Sequence, residues 1–169
     1  MMNVWDLIQS DFSGPCGLEK VRATKQFILG LSTEEKKRFA LALLNIICDP
    51  VHGFNTRSVA IDRLLYFAVL LGVHKSPFVA QAASEVLTRE FDAEMIRHVT
   101  NVHDHYLGYS TCVNFYQALL SVVLIIDYAL GIQHCRNVLE VSGDSGFASW
   151  LKEGIDSLKP PESPDSNAS

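Results

Sequence analysis

Hydrophobic positions recur at helical spacing along most of the chain and are densest in residues 110–131. Within this segment, residues 118–126 are apolar on every side of a helical cylinder except at Ser121. A helix that lacks a polar face must be covered by neighbours on all sides. The pattern therefore predicts a central buried helix over 110–131, around which the other helices pack.

A membrane-spanning helix and a buried strand are the competing interpretations of this segment. The unbroken apolar run is only about half as long as the roughly 20 residues that a bilayer requires. Asn114, Gln117 and Asp127 also bracket it closely. The β-branched residues in 122–126 would suit a strand, but the whole segment is longer than strands usually are. We therefore expect a helix inside a globular protein and no contact with a membrane.

Helix start and stop signals divide the rest of the chain. The segment 32–35, STEE, has the form of a capping box, in which a serine hydroxyl and a glutamate each accept a backbone N–H. Pro77 suits the first turn of a helix, where its missing N–H costs nothing, and Gly72 suits a helix end. The eight or nine helices predicted in this way cover residues 4–12, 18–29, 33–48, 58–72, 77–89, 93–108, 110–131, 135–141 and 147–158, with a loop at 54–56.

These elements predict an all-α protein with one domain over residues 1–159 and a disordered, Pro/Ser-rich tail over 160–169. Links of roughly two to six residues favour antiparallel helical neighbours. The sequence has no clean internal period, which argues against a regular short repeat. Two architectures stay open: an irregular HEAT-like or armadillo-like stack of helical hairpins, and a globular bundle around 110–131.

Composition and charge narrow the classes of function. With 169 residues, the chain is long enough to bury about two-thirds of its unfolded surface in a single core. Apolar residues make up 48% of it and charged residues 20%, as in ordinary globular proteins. The formal net charge of -5 argues against general binding to nucleic acid.

The cysteines and the N-terminus bear on the cellular compartment. Cys16, Cys48, Cys112 and Cys135 are far apart and form no C-x-x-C pair. We therefore expect reduced, buried thiols and not a disulfide framework. The N-terminal residues have neither the basic segment nor the apolar segment of a secretory signal. Together these features predict a cytoplasmic or nuclear protein.

Histidines and acidic residues are crowded in RHVTNVHDHY, residues 97–106. In sequence order, His74, His103, Asp104 and Asp127 resemble the metal ligands of HD-type phosphohydrolases. That resemblance implies a divalent metal that activates water. Asp127 follows Asp104 more closely than is usual in that family, and no lysine or glycine continues the His-Asp turn. The hydrolase stays as the alternative, while our main expectation is a protein with no catalytic residues, no metal and no cofactor.

The candidates for contacts with a partner are a basic run and an N-terminal tryptophan. Lys36, Lys37 and Arg38 follow two glutamates, a pattern typical of a solvated helix face with i,i+3 and i,i+4 ion pairs. The alternative use of the run is a local patch for an acidic partner or an RNA backbone. Trp5 lies in a short amphipathic helix that either packs on the core or docks on a partner. We take these four residues as the predicted partner-binding set.

Residues 63–78, RLLYFAVLLGVHKSPF, together with 18–50, resemble the N-terminal helical domain of the eleventh subunit of the NOT deadenylase complex. That domain has a similar order of helices and an Asn-Pro-Phe sequence where this chain has Ser76-Pro77-Phe78. The resemblance covers about half of the chain and does not extend beyond residue 91. It implies a non-catalytic module of helical hairpins that docks on a large scaffold subunit in mRNA turnover.

We therefore expect an intracellular adaptor that acts through protein-protein interaction, with a larger scaffold as its partner. A further alternative is a Bcl-2-like bundle, in which amphipathic helices surround a central apolar helix and a surface groove accepts a helical ligand. Whether the chain forms homo-oligomers is not predicted by any feature of the sequence.

Overall fold

The computed structural model describes residues 2–106 and 110–161. These residues form ten α-helices and no strand, in a single helical bundle, which confirms the predicted all-α class. The helices are α1 (Val4–Gln9), α2 (Gly17–Gly30), α3 (Thr33–Cys48), α4 (Phe54–Tyr66), α5 (Ala68–Leu71), α6 (Pro77–Glu90), α7 (Ala93–His105), α8 (Thr111–Ile126), α9 (Tyr128–Ser142) and α10 (Gly146–Leu158).

Local capping signals start several of these helices where the sequence predicts. At α3, Ser32 Oγ accepts the Glu35 backbone N–H at 3.3 Å, and Glu35 Oε2 accepts the Ser32 N–H at 2.7 Å. Pro77 is the first residue of α6. Gly72 ends α5 with a φ of 74°, a left-handed conformation that residues with a Cβ rarely adopt. These interactions span only a few residues, so they depend little on the rest of the fold.

The predicted central helix 110–131 is two helices, α8 and α9, separated at Asp127. Asp127 has a non-helical backbone, and its Oδ1 accepts the Leu130 N–H at 3.1 Å, which starts α9. Gly131 is therefore not a helix end. It lies where α9 crosses α8 so closely that a Cβ would be 2.6 Å from Leu124 Cδ2. The short helix predicted at 135–141 is also not a separate element, because α9 continues from Tyr128 to Ser142.

The predicted loop at 54–56 and the single helix at 58–72 are also wrong. Helix α4 begins at Phe54, after the extended backbone of Gly53. It ends before Phe67, whose backbone is not helical and whose side chain is completely buried. The Phe67 ring packs edge-on against Phe12, with ring centroids 6.0 Å apart. Packing with the N-terminal segment therefore accompanies the break between α4 and α5.

Helix α8 is the centre of the bundle, as its apolar sequence predicts. It packs most extensively against α6, α4 and α9, and also contacts α7 and α10. Phe115, Leu119, Leu120 and Val123 are completely buried. The expectation that no face of this helix meets solvent is wrong at Ile125, whose side chain is 51% exposed. None of the described helices is long and apolar enough to cross a membrane.

Two predicted features fall partly outside the described residues. The end of the helix predicted over 93–108 includes residues 107 and 108, which are not described, whereas α7 ends at His105. Of the predicted tail 160–169, only residues 160 and 161 are described, and both are exposed and outside α10. The disorder of the tail therefore stays a prediction.

Candidate functional site

A groove of about 320 Å³ lies between α3 and the segment that leads from α5 into α6. Its lining is apolar except for one lysine and one serine. Phe78 stands at its edge and is 62% exposed, whereas Leu44 and Val79 in its floor are each only 4% exposed. The lining residues are Lys37, Ala40, Leu41, Leu44, Val73, Ser76, Phe78 and Val79.

The local sequence explains why these side chains meet. Positions 37, 40, 41 and 44 are three or four residues apart, so they lie on one face of α3. Ala40 is the smallest of them and leaves room between the helices. On the opposite side, Pro77 starts α6, which places Phe78 in an exposed first turn.

A second hollow of about 460 Å³ continues the groove along the N-terminal half of α3. It shares Lys37, Val73 and Ser76 with the first hollow, so the two adjoin. Lys36 lines it from α3, and Leu70 lines it from α5. We call the two hollows together the α3/α6 groove. Helix α8, the centre of the bundle, lines neither of them. The Bcl-2-like alternative, with a surface groove for a helical ligand, stays a prediction.

Two residues of the predicted basic run, Lys36 and Lys37, line this groove. Lys37 and Arg38 are exposed, Lys36 is half-buried, and none of the three forms an ion pair among residues 2–106 and 110–161. Glu35 is held by its capping box instead, where hydrogen bonds from the Ser32 hydroxyl and N–H lower its carboxyl pKa. The i,i+3 and i,i+4 ion pairs expected on this face of α3 are not observed among the described residues. Arg38 lines neither hollow.

Trp5 lies apart from the groove. Its ring is 41% exposed and meets the edge of the His52 ring, with ring centroids 5.4 Å apart. The completely buried residue of α1 is Leu7. Leu7 therefore anchors this helix to the core, and a role of Trp5 in partner binding stays a prediction.

The four residues of the HD-type hypothesis do not assemble into a metal site. In the described part of the chain, no group of three or more His, Cys, Asp or Glu side chains is arranged to hold a metal ion. His74 lies in the link between α5 and α6, and Asp127 caps α9. His103 and Asp104 do meet, with Nδ1 and Oδ1 2.9 Å apart.

Asp104 has a structural role that the sequence did not reveal. Its Oδ2 accepts the Gly146 N–H at 3.0 Å and its Oδ1 accepts the Phe147 N–H at 2.9 Å, so it caps the first turn of α10. Desolvation raises the pKa of the Asp104 carboxyl, but the hydrogen bonds from His103, Gly146 and Phe147 outweigh it and lower the pKa below its usual value. This carboxylate therefore joins α7 to α10, and both of its oxygens already accept hydrogen bonds from backbone N–H groups.

Arginines that the sequence did not single out form the main polar contacts of the interior. Arg57 is 2% exposed and makes two hydrogen bonds to the Glu90 carboxylate, at 2.7 and 2.8 Å. Its Nε also donates to the Ile47 carbonyl at 2.8 Å, and its guanidinium lies 4.3 Å from the centre of the Phe115 ring. Arg89 adds hydrogen bonds to Glu90 and to the Cys48 carbonyl. These contacts tie α3, α4, α6 and α8 together.

The cysteines are all free thiols, as predicted, but they are not all buried. Cys135 is completely buried, Cys48 and Cys112 are half-buried, and Cys16 is exposed. Burial raises the pKa of Cys135 to about 11 and also raises those of Cys48 and Cys112. These three thiols therefore stay protonated and unreactive at neutral pH.

Comparison with known proteins found no matching family model, no matching curated protein and no matching solved structure. The resemblance to the deadenylase subunit is not tested by these results and stays a prediction.

Proposed function

We propose that this protein is a non-catalytic adaptor that docks on a larger scaffold protein by binding an acidic, amphipathic helix of that partner in the α3/α6 groove. The observation that supports this most strongly is Phe78, a large apolar side chain that is 62% exposed beside an apolar floor. An exposed aromatic residue next to a hydrophobic cleft is typical of binding sites in which a few anchor residues supply most of the affinity.

The groove favours a helix over an extended peptide as its occupant. Its walls are formed largely by α3, α5 and α6, whose backbone N–H and C=O groups are mostly engaged within their own helices. An extended peptide gains affinity by pairing its backbone with free groups at a sheet edge, and these walls offer no such edge. A helix satisfies its own backbone groups and needs only an apolar face to fill the groove.

Charge complementarity favours an acidic partner. Lys36 and Lys37 line the groove and have no ion pair among the described residues. Acidic residues beside the apolar face of the partner helix would meet these lysines. Exposed ion pairs of this kind contribute only about 0.2–1 kcal/mol each, so they orient the partner and speed association more than they strengthen binding. The apolar anchors supply most of the affinity.

The resemblance of residues 63–78 to the deadenylase subunit supports the scaffold-docking form of this proposal. Ser76 and Phe78, the flanking positions of the Ser-Pro-Phe sequence, both line the groove. A partner of that kind would be a large scaffold subunit, met in the cytoplasm or nucleus during mRNA turnover. The proposal for the groove does not depend on this setting, because it follows from the exposed apolar surface and the lysines.

Selection from a displayed library of random 16-residue peptides tests the proposal directly. We expect the wild-type protein to enrich peptides with apolar residues at i, i+3 or i+4, and i+7, flanked by Asp or Glu. The Phe78→Asp variant should not bind them, because it places a charge at the edge of the apolar floor.

The matched control is Leu18→Asp in α2. Leu18 is 64% exposed, close to the 62% of Phe78, but it does not line the groove. The control variant should bind the selected peptides as tightly as the wild type does. Equal loss of binding in both variants, or enrichment of peptides without an apolar face, would contradict the proposal.

A further inference from the structure

A different cavity, of about 310 Å³, lies on the other side of α6, where α6, α7, α8 and α9 meet. It combines an apolar and aromatic wall with several polar side chains, and no lysine or arginine lines it. Its size is at the lower limit of small-molecule sites in proteins, which begin at roughly 300 Å³. The lining residues that matter here are Phe91, Asp92, Tyr116, His134, Asn137 and Glu140.

Tyr116 supplies a polar group that no described residue satisfies. Its side chain is 2% exposed, and its ring packs on Phe91 with centroids 4.4 Å apart. Its hydroxyl makes no hydrogen bond within residues 2–106 and 110–161, yet every fully buried polar side-chain atom described there has a partner. The hydroxyl must therefore reach solvent, and Tyr116 lines this cavity. It is available to a ligand as a donor or acceptor.

His134 is a second polar group in the wall. Its Nε2 lies 2.6 Å from Ser84 Oγ, and its other ring nitrogen has no hydrogen bond among the described residues. Burial lowers the pKa of His134, which keeps the imidazole neutral at neutral pH. The ring therefore adds no positive charge to the cavity.

The charged residues that line the cavity are both acidic. Glu140 forms no ion pair with a described residue, and Asp92 accepts the Met95 N–H at 2.9 Å as the cap of α7. Asp92 also belongs to a neighbouring hollow, which is lined by Glu94 and by Glu90, the residue paired with Arg57 and Arg89. The charged side chains in the cavity lining are thus negative. An anion would be repelled there, whereas a cation would be attracted.

We propose that this cavity binds a small organic cation, an amine carried on an apolar or aromatic body. The body would pack against Phe91 and the apolar wall, where aromatic faces also attract cations. The ammonium group would lie near the Glu140 carboxylate, with the Tyr116 hydroxyl as a hydrogen-bond acceptor.

Calorimetric titration with benzylamine tests this, with benzyl alcohol and benzoate as neutral and negative ligands of the same shape. We expect benzylamine to bind about tenfold more tightly than benzyl alcohol, and benzoate to show no binding. Benzylamine that binds no better than benzyl alcohol, or gives no heat of binding at millimolar concentrations, would overturn the proposal.

Two variants locate the site. Glu140→Gln should weaken benzylamine binding about tenfold and leave benzyl alcohol unchanged, since only the amine uses the charge. The control is Glu153→Gln in α10, which removes the same charge from an exposed residue that does not line the cavity. Equal effects of the two variants would show that binding is not at this cavity. Tyr116→Phe, which keeps the ring, should weaken benzylamine further when combined with Glu140→Gln.

Discussion

Two sets of basic residues in neighbouring parts of this protein are used in opposite ways. Arg57, Arg63 and Arg89 each make hydrogen bonds that join different helices or segments of the chain. Lys36 and Lys37 lie along an apolar groove and form no ion pair among the described residues. The arginines are therefore part of the fold, whereas the lysines are free to contact another molecule.

The difference follows from the chemistry of the two side chains. A guanidinium group presents several N–H donors in a planar fork, so Arg57 can satisfy Glu90 and the Ile47 carbonyl together while it packs on Phe115. An ammonium group is a compact, strongly hydrated charge that gains little from burial. Substitution of a basic residue with internal partners should therefore change the stability of the fold. Substitution of Lys36 or Lys37 should instead change the binding of a partner.

The largest predicted effect is that of removing the buried arginine. Arg57→Met should lower the free energy of unfolding by about 3–5 kcal/mol, because it leaves the partly buried Glu90 without its main partner. Urea unfolding followed by circular dichroism measures this. Arg38→Met in α3 is the matched control, and it should change the stability by less than about 0.5 kcal/mol. Similar losses of stability in both variants would show that the buried arginine matters no more to the fold than an exposed one, and would contradict this account.

A smaller loss is expected at Arg63, which holds the N-terminal helix. Its Nη2 donates to the Ser10 carbonyl at 2.8 Å, and its guanidinium lies 4.1 Å from the centre of the Phe12 ring. Arg63→Met should cost about 1–2 kcal/mol and loosen α1 in particular. Hydrogen exchange should speed up in Val4–Gln9 more than in α8. Uniform acceleration across both helices would show that Arg63 does not act locally.

Asp104 is an acidic residue that, like the arginines, joins two helices, and its contribution to stability should depend on pH. Asp104→Asn should cost about 1 kcal/mol at pH 7, since it weakens the cap of α10. The folded pKa of Asp104 lies below its unfolded value, so its contribution is complete above about pH 4 and is lost as the pH falls through the folded pKa. The stability difference between wild type and variant should therefore shrink on acidification. A difference independent of pH would contradict this role.

The predictions from sequence succeeded where interactions are local or where composition alone decides. The capping box at Ser32 and Glu35 spans four residues, and the apolar sequence of α8 requires burial whatever its neighbours are. The break at Asp127 was missed because apolar residues continue at helical spacing on both sides of it. Nothing in the local sequence shows that α9 must turn back across α8 at Gly131.

The candidate sites depend on contacts between distant segments, and there the sequence was less informative. Lys36 and Lys37 were predicted as partner-binding residues, but the apolar floor beside them exists only because α6 begins next to α3. Asp104 resembled a metal ligand in the sequence. Its role as a helix cap was not visible there, because the helix that it caps starts 42 residues later. The available signal for the interior network was the position of Arg57, which shares the helical spacing of Ala60, Ile61 and Leu64 on the buried face of α4.

The smallest effect on stability is expected at the groove lysines. The double variant Lys36→Glu, Lys37→Glu should unfold within about 0.5 kcal/mol of the wild type, because neither lysine forms an ion pair with another described residue. Its affinity for a peptide selected by the wild-type groove should fall about tenfold. Thermal melting and fluorescence anisotropy measure the two quantities on the same samples.

A charge-swap titration tests the proposed recognition most directly. The selected peptide is remade with its acidic residues replaced by lysine, and its affinity is measured by fluorescence anisotropy for the wild type and the double variant. Complementary charges at the groove predict that the basic peptide binds the wild type poorly and regains most of the lost affinity with the double variant. If the basic peptide binds both proteins equally, the lysines do not face the partner and the proposed docking in the α3/α6 groove is wrong.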